Sequence, residues 1–169
     1  MNATVALRAM EPEDLDMLYR IENDPQLWDV STTNVPYSRY ALHDYVAHAS
    51  SDIYADRQVR LIIENAQHKA VGIVDLVNFD PRHQRAEVGI VVERQYRRRG
   101  YALAALHALH DYVRHAVHLH QTYAIIDTSH VAARRLFRNA GYTEVATLPQ
   151  WFSTAEGFQD AVVMVRCNQ

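Results

Sequence analysis

Three strand-like segments joined by short connections constrain the fold of this chain most. Aliphatic and β-branched residues dominate residues 59–63, 70–77 and 86–92, and turn-forming residues separate them at 65–69 and 80–83. Connections this short join neighbouring antiparallel strands, because parallel strands require a longer crossover. The sequence therefore predicts an antiparallel meander in the middle of the chain.

Helical and further strand-like patterns surround this meander. Apolar residues at helical spacing follow Gly100, so one side of that helix is expected to pack on the sheet. Residues 28–37, rich in Thr, Asn and Pro, are predicted to form a loop. The other predicted elements are a strand at 5–8, a helix from about Pro12, a helix after Ser38, a helix at 101–115, a strand at 122–127, a helix at 130–139 that Gly141 ends, and a hairpin of 144–151 with 159–165.

The predicted order is β-α-α-β-β-β-α-β-α-β-β, which indicates an α/β fold with helices on the faces of a mixed sheet. A chain of 169 residues has the length of one domain, so we expect a single domain over residues 1–169. The net charge of −3 argues against a nucleic-acid binder. No apolar run has the length of a membrane span, and no secretion signal is visible, so we expect a cytoplasmic protein that binds no membrane.

The turn Arg97-Arg98-Arg99-Gly100-Tyr101-Ala102 is the strongest chemical signal in the sequence. It follows the last strand of the meander and opens a helix, where free backbone N–H groups, the helix dipole and arginine side chains can converge on a diphosphate. The three-glycine dinucleotide fingerprint and the Gly-Lys-Ser/Thr phosphate loop are both absent from the sequence. Taken alone, the turn is equally compatible with a solvated basic surface.

Two spaced motifs resemble those of the GNAT acyltransferases. Arg97, Gly100 and Ala102 match the pattern Gln/Arg-x-x-Gly-x-Gly/Ala, and residues 130–142 approximate Asn-x-x-Ala/Ser-x-x-Leu-Tyr-x-x-x-Gly-Phe. The resemblance covers essentially the whole chain. The segments most similar to the spermidine and diamine N-acetyltransferase branch are 71–75, 83–87 and 150–152, with Gly157.

This resemblance implies a GNAT-like sheet with splayed central strands and acetyl-CoA as the co-substrate. The gap would open between Val91 and Val92 on one strand and residues 124–127 on the next, leaving N–H groups for the thioester carbonyl. A helix cap is the alternative role for His130, and a solvated helix face is the alternative for Arg134. The cofactor-binding residues that the resemblance implies are Val91, Val92, Arg97, Arg98, Arg99, Gly100, Tyr101, Ala102, His130, Arg134 and Phe137.

Direct attack by an amine requires a base, because a primary amine has a pKa of about 10. Glu87, on the strand that enters the arginine turn, is the expected base. Its alternative role is a surface carboxylate paired with Arg85 or Arg94.

The resemblance also places a general-acid tyrosine in the second motif, where this chain has Phe137. Tyr142, Tyr123 and His130 are the candidate replacements, and we take Tyr142 as the second catalytic residue. Its position in the motif is equally that of a packing aromatic residue.

Three residues are expected to contact the substrate: Asp75, Trp28 and Trp151. Asp75 resembles an acidic position of the polyamine branch, and carboxylates suit a cationic substrate. The loop at 31–36 lacks the acidic pair of that branch, which argues against strict spermidine specificity. His107 and His110 share a helical face, but no Cys and no closely spaced acid except Asp111 could complete a metal site, so no metal is expected.

The sequence thus predicts an acetyl-CoA-dependent N-acetyltransferase that acts on a primary amine, with a polyamine or diamine preferred. One alternative is a protein N-terminal acetyltransferase of the kind that modifies ribosomal proteins. Another is an acyl-CoA-binding sensor with little turnover, because Phe137 cannot donate a proton. The expected partners are a small amine and further copies of the chain in a homo-oligomer.

Overall fold

The computed structural model describes residues 3–30, 35–50 and 52–168, with backbone alone at 28–30. Seven strands form one mixed sheet in the order β1-β2-β3-β4-β5-β7-β6. The strands are β1 Val5–Arg8, β2 Val59–Asn65, β3 Ala70–Asp80, β4 Arg85–Val92, β5 Gln121–Asp127, β6 Thr143–Thr154 and β7 Gly157–Cys167. The helices are α1 Leu15–Glu22, α2 Arg39–Ala47, α3 Ile53–Asp56, α4 Tyr101–Tyr112 and α5 Val131–Asn139.

The predicted meander is confirmed. Strands β1 to β4 pair antiparallel in sequence order, and the turns between β2, β3 and β4 are short. Close approach of β3 and β4 requires glycine at Gly72, where an added Cβ would lie 2.3 Å from the carbonyl oxygen of Val91. The sheet is therefore held in register by backbone contact as well as by side chains.

The sheet has two differently covered faces. Ile73 of β3 packs with Leu18 of α1 and Leu42 of α2, and we call this side the α1–α2 face. Val74 and Leu76 point to the opposite side, into a core that includes residues of α4, and we call it the α4 face. Because side chains alternate along a strand, Asp75 and Val77 share the α1–α2 face with Ile73.

The predicted splay of the central strands is also confirmed. Parallel pairing of β4 with β5 extends only from Arg85 opposite Gln121 to Glu87 opposite Tyr123. Beyond Glu87, β4 continues to pair with β3 alone, while β5 pairs with β7 along its whole length. The two strands therefore enclose a gap that begins after Glu87.

Four differences from the predicted elements have local causes. Residues Pro12–Asp14 form a 3₁₀ turn before α1, because the Asp14 carboxylate accepts a hydrogen bond from the N–H of Glu11, 2.9 Å away. The predicted helix at 101–115 changes at Val113 into the π-helical segment Val113–Val117. The short helix α3 was not predicted, and the predicted loop at 28–37 begins inside the 3₁₀ helix Pro25–Val30.

The ends of two helices have local explanations. Ser38 caps α2 by accepting a hydrogen bond from Ala41, and Gly141 follows α5 with a φ of 88°, as the sequence predicted. Residues 31–34, which belong to the predicted loop, lie outside the described residues. Within the described ranges, no helix combines the length and apolar character that crossing a membrane requires.

Candidate functional site

The arginine turn presents unpaired backbone donors at the start of α4. Gly100 is the N-cap residue with a φ of 83°, a left-handed conformation that glycine adopts readily. The first bond of the helix runs from the N–H of Ala104 to the carbonyl of Gly100, 3.1 Å away. The N–H groups of residues 101–103 therefore have no acceptor within the helix and are available to an anion.

Three exposed arginines stand just before these donors in the chain. Arg97 is anchored, because its Nε donates to the carbonyl oxygen of Val92 at 2.9 Å. The Arg99 guanidinium lies 5.8 Å from the ring centre of Tyr96. Arg98, between these two arginines, has a left-handed backbone conformation with a φ of 62°. Arginine side chains and the positive end of α4 therefore occur in the same turn, and their place in a phosphate site stays a prediction.

The gap between β4 and β5 begins after Glu87, on the strand that leads to this anion site. Beyond Glu87, one edge of β4 bonds to β3 and the other edge faces no strand among the described residues. Polar backbone groups on that free edge must find a partner other than the sheet. The predicted residues Val91 and Val92 lie on β4 beyond Glu87, where Val91 packs on the α1–α2 face and Val92 on the α4 face.

Glu87 lies at the last β4–β5 pair, where the gap opens. Its Oε2 accepts a hydrogen bond from Nδ2 of Asn78 at 2.8 Å, and its register partner on β5 is Tyr123. Burial, together with the negative charge of Glu87, raises the pKa of Tyr123, which keeps that hydroxyl protonated. The alternative pairing with Arg85 is not formed, since Arg85 contacts Asp80 at 3.4 Å.

Asp75 belongs to a charged cluster on the α1–α2 face. Both of its carboxylate oxygens accept hydrogen bonds of 2.8 Å from Arg60, which also contacts Glu22 of α1. Two carboxylates share one guanidinium, so the cluster carries net negative charge. A cavity of about 30 Å³ lies beside it, lined by Tyr45 and Val77 among others. Neither Arg60 nor Glu22 was predicted, because their proximity to Asp75 depends on strand register and helix docking.

A larger cavity of about 260 Å³ lies where β4 ends, between α1 and the arginine turn. One wall contains Glu93, a buried carboxylate that accepts a hydrogen bond from Arg20 at 2.7 Å. Arg97 of the turn and Val91 of β4 also line it. The sequence did not reveal this cavity, although an acidic residue directly after a strand was a visible signal.

The placement of Tyr142 does not support the predicted catalytic role. Its side chain is 3% exposed in the core of the α4 face, and its hydroxyl lies 2.9 Å from Oγ1 of Thr122 and 3.4 Å from Nε2 of His110. Burial raises its pKa to about 12. A hydroxyl enclosed by core residues is not positioned to protonate a leaving group, so we assign Tyr142 a packing role.

Three predicted cofactor ligands on or beside α5 have intramolecular partners. Phe137 is buried, with its ring centre 5.0 Å from that of Tyr142 in an edge-on arrangement. Arg134 donates to both carboxylate oxygens of Glu144, at 2.9 and 3.2 Å. His130 caps the helix, because its Nδ1 accepts a hydrogen bond from the N–H of Ala133 at 3.1 Å. His130 thus has its alternative role as a helix cap, while Arg134 forms an ion pair rather than lying on a solvated helix face, and Phe137 packs in the core.

The two predicted tryptophans lie in different elements. Trp151 lies on β6 with 54% of its side chain exposed, and β6 contacts the 3₁₀ helix Pro25–Val30. The side chain of Trp28, in that 3₁₀ helix, lies outside the described residues. Among the described side chains, no cluster of three or more metal-binding residues occurs, and His107 instead packs edge-on against His110.

Comparison with known proteins relates this geometry to a family. The Acetyltransferase (GNAT) domain model matches residues 4–143. The spermidine N(1)-acetyltransferase of Vibrio cholerae serotype O1 is 24% identical over 160 residues, which cover 95% of this chain and 91% of that protein. The spermidine N(1)-acetyltransferase of Escherichia coli K12 is 26% identical over 167 residues, covering 95% of this chain and 84% of the relative.

Solved structures share the fold. The crystal structure of spermidine N-acetyltransferase from Vibrio cholerae in complex with CoA and spermine superposes with a TM-score of 0.86 at 23% identity, covering 98% of this chain and 96% of that one. A dodecameric structure of the Vibrio cholerae enzyme in an intermediate state gives a TM-score of 0.79 at 24% identity, covering 98% and 94%.

Proposed function

Because this chain belongs to the acetyltransferase (GNAT) family, we propose that it transfers the acetyl group of acetyl-CoA to a primary amine of a polyamine or diamine. The observation that carries the proposal is the position of the β4–β5 gap. The gap opens on the strand that leads to the arginine turn, which suits a diphosphate. One strand away lies the Asp75–Arg60–Glu22 cluster, whose net negative charge suits a cation. Donor and acceptor can therefore meet in the gap.

The donor fits the residues that are present. Backbone N–H groups at the start of α4 would hold the diphosphate, with Arg97, Arg98 and Arg99 supplying positive charge. The free edge of β4 beyond Glu87 would accept the pantetheine arm and direct N–H groups at the thioester carbonyl. Acetyl-CoA supplies the activated acyl group, and the chain supplies its orientation.

Glu87 is the proposed base for the acceptor. An ammonium group that reaches the gap loses a proton to Glu87, directly or through water, and the neutral amine attacks the carbonyl carbon. Backbone donors of β4 stabilise the oxyanion that forms. When the carbon–sulfur bond breaks, the thiolate accepts the proton that the attacking nitrogen still carries. This sequence does not require a tyrosine at the position of Phe137.

The proposed acceptor class rests on two kinds of support. Relatives that align with nearly the whole chain are named spermidine N(1)-acetyltransferases. In this chain, the cluster of Asp75 and Glu22 carries net negative charge even with Arg60 bound to both, and Asp75 is the β3 partner of Gly89 on β4. A linear polycation suits such a surface better than the neutral backbone of a peptide does.

Release of CoA thiol tests the proposal against its alternatives. The purified protein is supplied with acetyl-CoA and, separately, with spermidine, spermine, putrescine and peptides with free N-termini. We expect turnover on at least one of the three small amines. Turnover on peptides alone would support the N-terminal acetyltransferase instead. Binding of CoA without release on any acceptor would support the sensor.

Replacing Glu87 by glutamine tests the assigned base. The amide cannot accept the ammonium proton, so we expect kcat to fall by about 10²-fold while affinity for CoA stays unchanged. Glu13→Gln, at an exposed carboxylate of the 3₁₀ turn before α1, is the matched control. A variant at Glu87 with the wild-type pH profile and kcat would remove Glu87 from the mechanism.

We also propose that the enzyme is a homo-oligomer. A similar solved structure is described as dodecameric. In this chain, the hairpin of β6 and β7 exposes Val145, Trp151 and Phe158 at the outer edge of the sheet, and such apolar edges are commonly covered. Mass determination in solution tests this, and a monomer at micromolar concentration would contradict it. The cytoplasmic location expected from the sequence stays a prediction.

A further inference from the structure

We propose that Gly89 sets acceptor specificity, because its missing side chain leaves a passage through which an unbranched amine chain reaches the gap. The inference rests on the proposed transferase function and deepens it. It concerns one residue of β4 that lies two positions beyond Glu87, where β5 has already separated from β4.

Strand register places Gly89 on the α1–α2 face of the sheet, where the Asp75 cluster also lies. Its antiparallel partner on β3 is Asp75, and partners in a ladder point to the same face. By alternation along β4, Glu87 and Val91 also point to that face, and Val91 packs with its helical core. Gly89 therefore lies between the proposed base and Val91, next to the carboxylate that Arg60 holds.

The fold itself does not require glycine at this position. A Cβ built on Gly89 would meet only Cβ of Asp75, at 3.8 Å, which is an ordinary van der Waals contact. Its backbone is not among the left-handed glycines at 100, 141 and 157. Gly72, by contrast, is required, since its Cβ would lie 2.3 Å from the carbonyl oxygen of Val91. The two glycines of the meander therefore serve different purposes.

A glycine inside a strand that packing does not demand often marks the close approach of a ligand. Gly89 lacks a packing reason and lies half-buried, beside a gap in the sheet. The surrounding groups indicate the chemistry of that ligand. Glu87 and the Asp75 cluster offer carboxylates, and between them Gly89 contributes no side chain that would obstruct an aliphatic chain. A linear aliphatic chain with amino groups matches both features.

Adding a side chain at Gly89 therefore tests the passage. We expect Gly89→Leu to raise KM for spermidine, spermine or putrescine by about tenfold or more, which corresponds to about 1.4 kcal/mol of lost acceptor binding. Gly89→Ala should give a smaller increase in the same direction. KM for acetyl-CoA should change less than KM for the acceptor, because the new side chain points to the α1–α2 face, whereas the donor would use the backbone edge of β4 and the arginine turn. The thermal midpoint should stay close to wild type in both variants.

The control adds a leucine to the same face at the opposite edge of the sheet. Ala6 of β1 is exposed and pairs with Glu64, far from the gap, so Ala6→Leu should leave both KM values unchanged. Equal increases in both KM values, or a large fall in the thermal midpoint of Gly89→Ala, would overturn the inference by showing a structural role. An unchanged acceptor KM in Gly89→Leu would overturn it as well. A wild-type enzyme inactive on every amine would overturn the proposed function instead.

Discussion

Tyr142 occupies a motif position that can serve packing or chemistry, and the residues around its side chain decide which. Its hydroxyl lies between Thr122 and His110, and its ring meets Phe137 edge-on. A buried hydroxyl with partners contributes to stability, because an unsatisfied polar group in a core costs free energy. The aromatic residue at 142 therefore holds the α4 face together.

Tyr142→Phe is expected to lower the free energy of unfolding by about 1 to 2 kcal/mol, since Thr122 and His110 lose a buried partner. Urea unfolding measures this change, and kcat for acetyl transfer should remain within about twofold of wild type. Thr122→Val removes the same hydrogen bond from the other side and serves as the comparison. A loss of kcat by orders of magnitude in a folded Tyr142→Phe protein would restore the acid role.

The arginine turn depends on a whole element, because its unpaired backbone N–H groups exist only where helix α4 begins. Gly100 takes a left-handed conformation there, although a Cβ would have room, with its nearest neighbour, Cβ of Ala3, 3.5 Å away. The requirement for glycine is thus conformational. Strain, rather than a clash, is what a side chain would introduce.

Gly100→Ala should weaken CoA binding by about tenfold, because a left-handed non-glycine residue costs about 1 to 2 kcal/mol and the turn can relieve it by rotating its N–H groups away from the phosphates. Calorimetric titration with CoA measures the affinity. Gly141→Ala is the matched control, with a φ of 88° at the end of α5 and no place in the phosphate site. If both variants bind CoA as wild type does, the turn does not hold the diphosphate.

The stability of the whole molecule should depend on pH through His110. Burial, with smaller contributions from Arg166 and His107, lowers the pKa of His110 to about 4 from an ordinary value of 6.5. The unfolded chain therefore binds a proton at a higher pH than the folded protein does. Stability is complete above about pH 6.5 and declines as the pH falls toward 4.

Unfolding by urea at pH 7.5, 5.5 and 4.5 should show this decline, which amounts to about 3 kcal/mol for a shift of this size. His110→Gln removes the titrating group and should flatten the part of the pH dependence that lies below 6.5. His43→Gln, at an exposed position of α2, should leave it as in the wild type. A wild-type slope in His110→Gln would show that another group is responsible.

Apart from the short helix α3, the sequence by itself determined the order of the strands and helices, the antiparallel meander and the arginine turn. Each of these depends on neighbours in the chain, because short connections fix strand direction, periodicity fixes the buried side of a helix, and a glycine fixes a turn. Glu87 was predicted beside the gap for the same reason, since it stands on the strand that leads to the turn.

Only the tertiary structure decided which distant groups meet. Arg60 and Asp75 are 15 positions apart, and His110 and Tyr142 are 32 apart, so their contacts depend on strand register and on how α4 packs. The same holds for the ion pair of Arg134 with Glu144, which are 10 positions apart. The proposed role of Gly89 depends on the point at which β5 separates from β4, and no local sequence pattern predicts that point.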